Sequence, residues 1–203
     1  MMGPVYVVTE ADAPVPVTVQ ILAAAKGGAS LIQLRDKTAR DDDLLSLIAA
    51  VLPELTARGA KLIINDRVDL AITSGAHGLH IGQGDGDPAA IRARIGPDML
   101  LGLSVEAEDM ASRVPTGVDY LGVGPVRATP SKPDHAPPIG FDGLARIIAA
   151  TGLPCYAIGG VKPGDAAAVK AAGAVGLAVV SAVTRAADPV AATRALVNEW
   201  MRA

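Results

Sequence analysis

The chain has 203 residues, 50% hydrophobic and 19% charged, with a formal net charge of −3, a balance that suits one soluble domain burying roughly 70% of the surface its unfolded form would expose. It offers no basic face for nucleic acid or an anionic membrane, and no apolar run approaches the roughly 18 to 20 residues of a membrane-spanning helix. A single cysteine, Cys155, excludes an intrachain disulfide framework and a cysteine-clustered metal site.

The opening segment, MMGPVYVVTEADAP, contains the apolar run PVYVVT from Pro4 and lacks the regions of a secretory signal, so a cytoplasmic location is expected. VTVQILAAAKGG then reads as a helix closed by glycine. LIQLR from Leu31 is followed by the helical pattern DDDLLSLIAAVLPELTARG, KLIIN from Lys61 by RVDLAITSG, and GLHI from Gly78 by DPAAIRARIG. LLGLS from Leu100, YLGV from Tyr120, CYAIG from Cys155 and GLAVVS from Gly176 complete eight strand-like runs. Strand followed by helix, repeated eight times, predicts an α/β fold with a parallel sheet: a (β/α)8 TIM barrel in one domain over residues 1–203. A doubly wound open sheet has the same periodicity. Between YLGVG and a helix beginning near Phe141 runs PVRATPSKPDHAPPIG, too rich in proline and polar residues for a regular element. A mobile functional loop is therefore expected at about 125–140. Cys155 sits among apolar residues and reads as a small core side chain, whereas Trp200, in the last helix, could pack on the barrel or on another subunit.

In such a barrel the chemistry belongs at the C-terminal ends of the strands. In QLRDK, alternation places Gln33 and Arg35 on one face, opposite Ile32 and Leu34, with Lys37 just beyond. If the aliphatic face packs on helices, Gln33 and Arg35 point into the mouth; a solvated surface is the other reading for the cations. The third strand ends in Asn65 and Asp66, and the fourth leads to His80, Gln83 and Asp85. Neighbouring parallel strands are about 4.8 Å apart, so Asp66 and Asp85 could converge on one Mg2+, or each could cap the helix that follows it. His80, between Leu79 and Ile81, reads as a hydrogen-bonded interior histidine. Ser104 closes the fifth strand, and the long loop adds Thr129, Ser131 and Lys132, hydroxyls and a cation suited to phosphate oxygens. AIGG, with Gly159 and Gly160, and AVVS, with Val180 and Ser181, stand where barrels of this kind often hold a phosphate, although a glycine pair also makes a plain turn.

Taken together, QLRDK, NDRVDLA, GLHIGQGD, GLS, GPVRATPSK, AIGG and AVVS, in this order along nearly the whole chain, resemble the thiamine-phosphate synthase family. The resemblance implies a (β/α)8 enzyme that joins a hydroxymethylpyrimidine diphosphate to a (carboxy)thiazole phosphate, giving thiamine monophosphate and pyrophosphate with Mg2+ as cofactor. It implies that Gln33, Arg35, Lys37 and Asn65 contact the pyrimidine diphosphate, that Asp66 and Asp85 hold Mg2+, and that Ser104 lies near the pyrimidine. Thr129 and Ser131 would contact the thiazole phosphate, Lys132 the pyrophosphate, and the backbone of Gly160, Val180 and Ser181 the thiazole phosphate. Arg35, Lys37, Lys132 and Ser104 are then the catalytic candidates, and small molecules the partners. The chain departs from the pattern at Arg127, usually aromatic, which puts the loop's packing in question, and at Ser131, usually a second threonine. Two rival readings share the barrel: a thiazole tautomerase, whose acid–base histidine is replaced here by Glu106, and a non-catalytic barrel that binds a phosphorylated metabolite and regulates a partner.

Overall fold

The computed structural model describes residues 2–129 and 136–203. Its strands are β1 (Val5–Val8), β2 (Leu31–Leu34), β3 (Lys61–Asn65), β4 (Gly78–Ile81), β5 (Leu100–Val105), β6 (Tyr120–Val123), β7 (Cys155–Ala157) and β8 (Gly176–Val179). The helices are α1 (Val17–Gly27), α2 (Asp41–Ala57), α3 (Val68–Ser74), α4 (Pro88–Ile95), α5 (Glu108–Ser112), α6 (Gly140–Ala149), α7 (Ala166–Ala171), α8 (Ser181–Thr184) and α9 (Pro189–Arg202). Every strand pairs in parallel with its sequence neighbours, and β1 also pairs with β8 through Tyr6 and Ala178, so the sheet closes into a (β/α)8 TIM barrel and is not an open one.

Alternation along each strand divides the core in two. Val5, Val7, Ile32 and Leu34 face the helices in the outer apolar layer. Tyr6, Val8, Leu31, Ile63, Tyr120, Tyr156 and Ala178 fill the inside of the barrel. The ladders stop short of the apolar runs read from the sequence: Thr9, Arg35, Gly159 and Ser181 all lie past the last strand residue. At those points the chain is already turning outward towards the next helix, which frees the polar groups for the barrel mouth. β5 runs one residue longer than LLGLS, so Ser104 stands within the ladder, beside Gly122.

Local sequence sets the helix ends. Asp87 and Asp188 each cap a helix that has proline in its first turn, accepting from the N–H of Ala90 and Ala191. Three aspartates crowd the first turn of α2, where the helix dipole favours negative charge. Gly28, at φ 99°, closes α1 in the left-handed conformation that a side chain resists. Helix α9 packs closely on α1: a Cβ on Gly27 would sit 2.4 Å from Cβ of Thr193. Trp200 is buried in the outer layer, with the Lys170 ammonium 5.4 Å from its ring centroid, so it packs on its own barrel. Cys155 is buried as expected, and burial pushes its thiol up to about 11. Among the described residues no helix is long and apolar enough to cross a membrane.

Candidate active site

The C-terminal strand ends open into a cavity of about 500 Å³. Gln33, Arg35 and Lys37 reach it from the end of β2, Asn65 and Asp66 from β3, Asp85 from the loop after β4, and Ser104 from β5. Thr129, Gly160, Val180 and Ser181 complete the other side. The candidates drawn from strands far apart in sequence thus share one wall-to-wall space. Ser131 and Lys132, with most of the expected loop centre, lie outside the described residues.

The cationic edge is held by backbone bonds. The hydroxyl of Thr9 accepts from the N–H of Arg35 at 2.9 Å, which ties the end of β1 to the start of the loop after β2. Asp36 accepts from the N–H groups of Thr38 and Ala39, and the Arg67 guanidinium donates to the carbonyls of Asp36 and Ala39, both at 2.8 Å. The segment carrying Arg35 and Lys37 is therefore set before any ligand arrives, which lowers the cost of aiming two cations at one anion.

Beside them, past the neighbouring strands, stand Asp66 and Asp85. Neither caps a helix. The residue before α3 is Arg67, without a side-chain cap, and α4 is capped by Asp87. Asp85 instead accepts from the N–H of Gly82 at 2.7 Å, closing the turn after β4. Asp66 has φ 62°, the one positive value among the described non-glycine residues, and its N–H donates to the carbonyl of His80. That backbone swings its carboxylate towards Asp85. Burial first, then the hydrogen bond and repulsion of Asp85, raise the Asp66 pKa against the pull of Lys37, whose ammonium is 3.5 Å away. Among the described residues the cavity lining includes four carboxylates, Glu10, Asp66, Asp85 and Glu106, beside the cations of Arg35 and Lys37. Glu10 is engaged by Arg185, whose guanidinium donates to both carboxylate oxygens at 2.9 Å and holds its pKa low. Two facing carboxylates in such a setting suit a divalent cation: hard oxygen donors, one or two per ion, with the remaining positions left to water and phosphate.

The floor is aromatic and polar. Tyr6, Tyr120 and Tyr156 meet edge to face with centroids 5.5 to 5.9 Å apart. His80 lies against Tyr120, its Nδ1 3.1 Å from the phenol oxygen and its Nε2 3.0 Å from the Ser104 hydroxyl. Burial pushes the imidazole down to about 4, so it is neutral at physiological pH, the interior histidine the alternation suggested. Gln33 donates from Nε2 to the Tyr6 hydroxyl at 2.6 Å.

The glycine turn at Gly159 (φ 86°) and Gly160 (φ 65°) is more than a tight connection. A Cβ on Gly160 would fall 2.7 Å from that of Arg127, so the loop after β6 lies directly on it. Arg127 bears on the question raised by its departure from the family pattern. Its guanidinium donates to both Asp165 oxygens at 2.6 and 2.9 Å and to the Gly160 carbonyl at 3.1 Å, and lies over the Phe141 ring at 4.9 Å. The loop's near end is pinned, not loosened.

Alternation on β1 would have disclosed Tyr6, and the residues just past it Thr9 and Glu10, but VYVVT is apolar enough to read as core alone. With this geometry in view, the comparisons agree. The profile of the family described as thiamine monophosphate synthase matches residues 5–183. The chain is 47% identical over 197 residues to the thiamine-phosphate synthase of Roseiflexus sp. (strain RS-1), covering 96% of this chain and 84% of that one. It is 47% identical over 174 residues to that of Laribacter hongkongensis (strain HLHK9), covering 86% and 82%. The solved thiamine phosphate pyrophosphorylase from Pyrococcus furiosus superposes with a TM-score of 0.89 at 30% identity, over 98% of this chain and 96% of that one. A barrel of this topology, with its polar residues gathered at one mouth and matched over nearly its whole length, belongs to the thiamine monophosphate synthase family.

Proposed function

We propose that this protein is a transferase of thiamine biosynthesis that joins hydroxymethylpyrimidine diphosphate to a (carboxy)thiazole phosphate and releases pyrophosphate. The observation that carries the reading is the placement of Arg35, Lys37, Asp66 and Asp85 across one cavity from the Gly160 turn. That arrangement provides for two phosphorylated ligands. In the reaction the bond between the pyrimidine methylene and the diphosphate oxygen breaks, its electron pair leaving with pyrophosphate. The thiazole nitrogen lone pair forms the new C–N bond, and no proton need be moved. Negative charge grows on the leaving group, and Arg35 and Lys37, carried on a segment held by backbone hydrogen bonds, would offset it, the kind of preorganised charge that contributes most to such steps. Lys132 would join them from the loop after β6. Mg2+, when bound by Asp66 and Asp85, would offset further leaving-group charge as a Lewis acid. Gln33, Asn65 and Ser104 would hold the pyrimidine diphosphate. The backbone of Gly160, Val180 and Ser181, with Thr129 and Ser131, would anchor the thiazole phosphate so that its nitrogen lies in line, and orientation of this kind can be worth ~7 to 11 kcal/mol.

Neither rival reading is supported: the relatives compared above are named as synthases or pyrophosphorylases. Glu106 stands at the cavity where a tautomerase would carry its histidine. A regulatory barrel would need the phosphate turn but not the facing carboxylates and cations. The test is to mix purified protein with both substrates and Mg2+. Pyrophosphate should appear only in the complete mixture, and its absence there would overturn the proposal.

A further inference from the structure

Five side chains from five strands form an unbroken run of hydrogen bonds beneath the cavity. The Gln33 amide meets the Tyr6 hydroxyl at 2.6 Å, and Tyr6 meets the Tyr120 hydroxyl at 3.0 Å. Tyr120 meets Nδ1 of His80 at 3.1 Å, and Nε2 of His80 meets the Ser104 hydroxyl at 3.0 Å. The three central members are buried, and the barrel makes room for them: a Cβ on Gly102 would fall 2.4 Å from both the Tyr120 oxygen and His80 Nδ1. Tyr156 takes no part, since its hydroxyl donates to the carbonyl of Gly3 at the far end of the barrel. Each phenol has one proton to give, and a neutral imidazole has one N–H and one lone pair, so the donors along the run must all point the same way. With Gln33 donating from Nε2, Tyr6 donates to Tyr120, Tyr120 to Nδ1, and Nε2–H to Ser104. Gln33 then offers its carbonyl oxygen to the cavity, and Ser104 its O–H. Turning the amide over would reverse every bond and both ends together.

We propose that Tyr6, Tyr120 and His80 are positioning residues that couple Gln33 to Ser104, so the cavity selects a heterocycle presenting an N–H donor to Gln33 and a ring lone pair to Ser104. The identity of that heterocycle rests on the function proposed above: an aminopyrimidine has the required pair, whereas its oxo analogue has a lone pair and an N–H in the opposite places. Because the two ends are linked through three buried groups, the wrong ring leaves both unpaired unless the whole run, amide and imidazole tautomer included, reverses. Two measurements test this. In nitrogen NMR of the ligand-free protein near neutral pH, His80, assigned by loss of its signals in His80→Gln, should be the neutral tautomer with the proton on Nε2. A proton on Nδ1 would put the donor at Gln33 and the lone pair at Ser104 and overturn the selection, and an imidazolium would break the run and overturn the coupling, whatever the protein's substrate proves to be. In calorimetric titration, the wild type should bind the aminopyrimidine methyl phosphate roughly 100-fold more tightly than its oxo analogue, as expected where polar groups would be left unpaired. Tyr120→Phe, which cuts the run, should reduce that ratio about 10-fold or more while binding thiazole phosphate as before. Equal weakening of both pyrimidines would mean a merely structural role and reject the proposal. Should Tyr120→Phe not fold, Tyr6→Phe cuts the run one link earlier and is read the same way. A wild type that binds neither pyrimidine would count against the proposed function, while the tautomer would still decide the coupling.

Discussion

Asp66 accepts a left-handed backbone, partial burial and a facing carboxylate, three unfavourable conditions at one residue. Such strain is kept where it aims a functional group. Asp66→Asn retains a residue that tolerates positive φ and removes the repulsion, so the metal-free protein should gain about 1 kcal/mol in urea unfolding. Mg2+-dependent pyrophosphate release should meanwhile fall ~100-fold or more, the scale of losing a preorganised charge. Wild-type turnover in this variant at limiting Mg2+ would remove Asp66 from the metal site. His80 gives a second prediction. Its folded pKa, about 4, lies below the ordinary 6.5, so the unfolded chain binds the proton more readily between those values. The contribution of His80 to stability is therefore complete above about pH 6.5 and is lost as pH falls towards about 4, by up to about 1.4 kcal/mol per pH unit. The raised Asp66 acts in the opposite sense, which is why the comparison must be made with His80→Gln, whose unfolding free energy should lack this part of the slope.

At the scale of elements, the phosphate turn depends on a neighbour. Arg127 joins the loop after β6 to the turn after β7 through Asp165 and the Gly160 carbonyl. Asp165 also accepts from the N–H of Lys162, so one buried carboxylate organises the start of α7 as well. Arg127→Ala should raise KM for thiazole phosphate roughly 10-fold, the loss of a charge-assisted contact, with kcat changed less. Arg127→Lys should not restore it, because a single ammonium cannot span both carboxylate oxygens and the Gly160 carbonyl. A KM unchanged by either substitution would show that the turn holds itself.

For the whole molecule, the facing carboxylates of Asp66 and Asp85 are like charges that a bound cation would relieve, so ligand binding and stability are linked. Mg2+ with pyrophosphate at about 100 times its dissociation constant should stabilise the fold by about 2.7 kcal/mol, seen as a higher Tm that a chelator reverses. Asp66→Asn should lose most of that shift. A Tm indifferent to Mg2+ in the wild type would separate the carboxylate pair from metal binding.

Much of this arrangement was already legible along the chain. Eight alternations of strand and helix determined an α/β fold with a parallel sheet, because periods of 2 and 3.6 are properties of local sequence, and glycines marked where several helices close. The alternation of Ile32, Gln33, Leu34 and Arg35 put Gln33 and Arg35 on one face, and the packing of Ile32 and Leu34 on the helices turns that face to the mouth. What local sequence left undecided were the matters that depend on residues distant in the chain. Asp66 and Asp85 each had a local use as a cap, and only the turn of the backbone at Asp66 and the pairing of β3 with β4 set them against each other. Arg127 stood out only as a departure until the fold brought Asp165 to it. Tyr6, Tyr120 and His80 read as separate core residues, since nothing in their own neighbourhoods says whose hydroxyl they will meet. Sequence by itself determined eight strand–helix units and the inventory of polar groups at their strand ends; tertiary structure alone decided closure and the partners of those groups, because charge pairs and hydrogen bonds depend on distances that only closure of the sheet fixes.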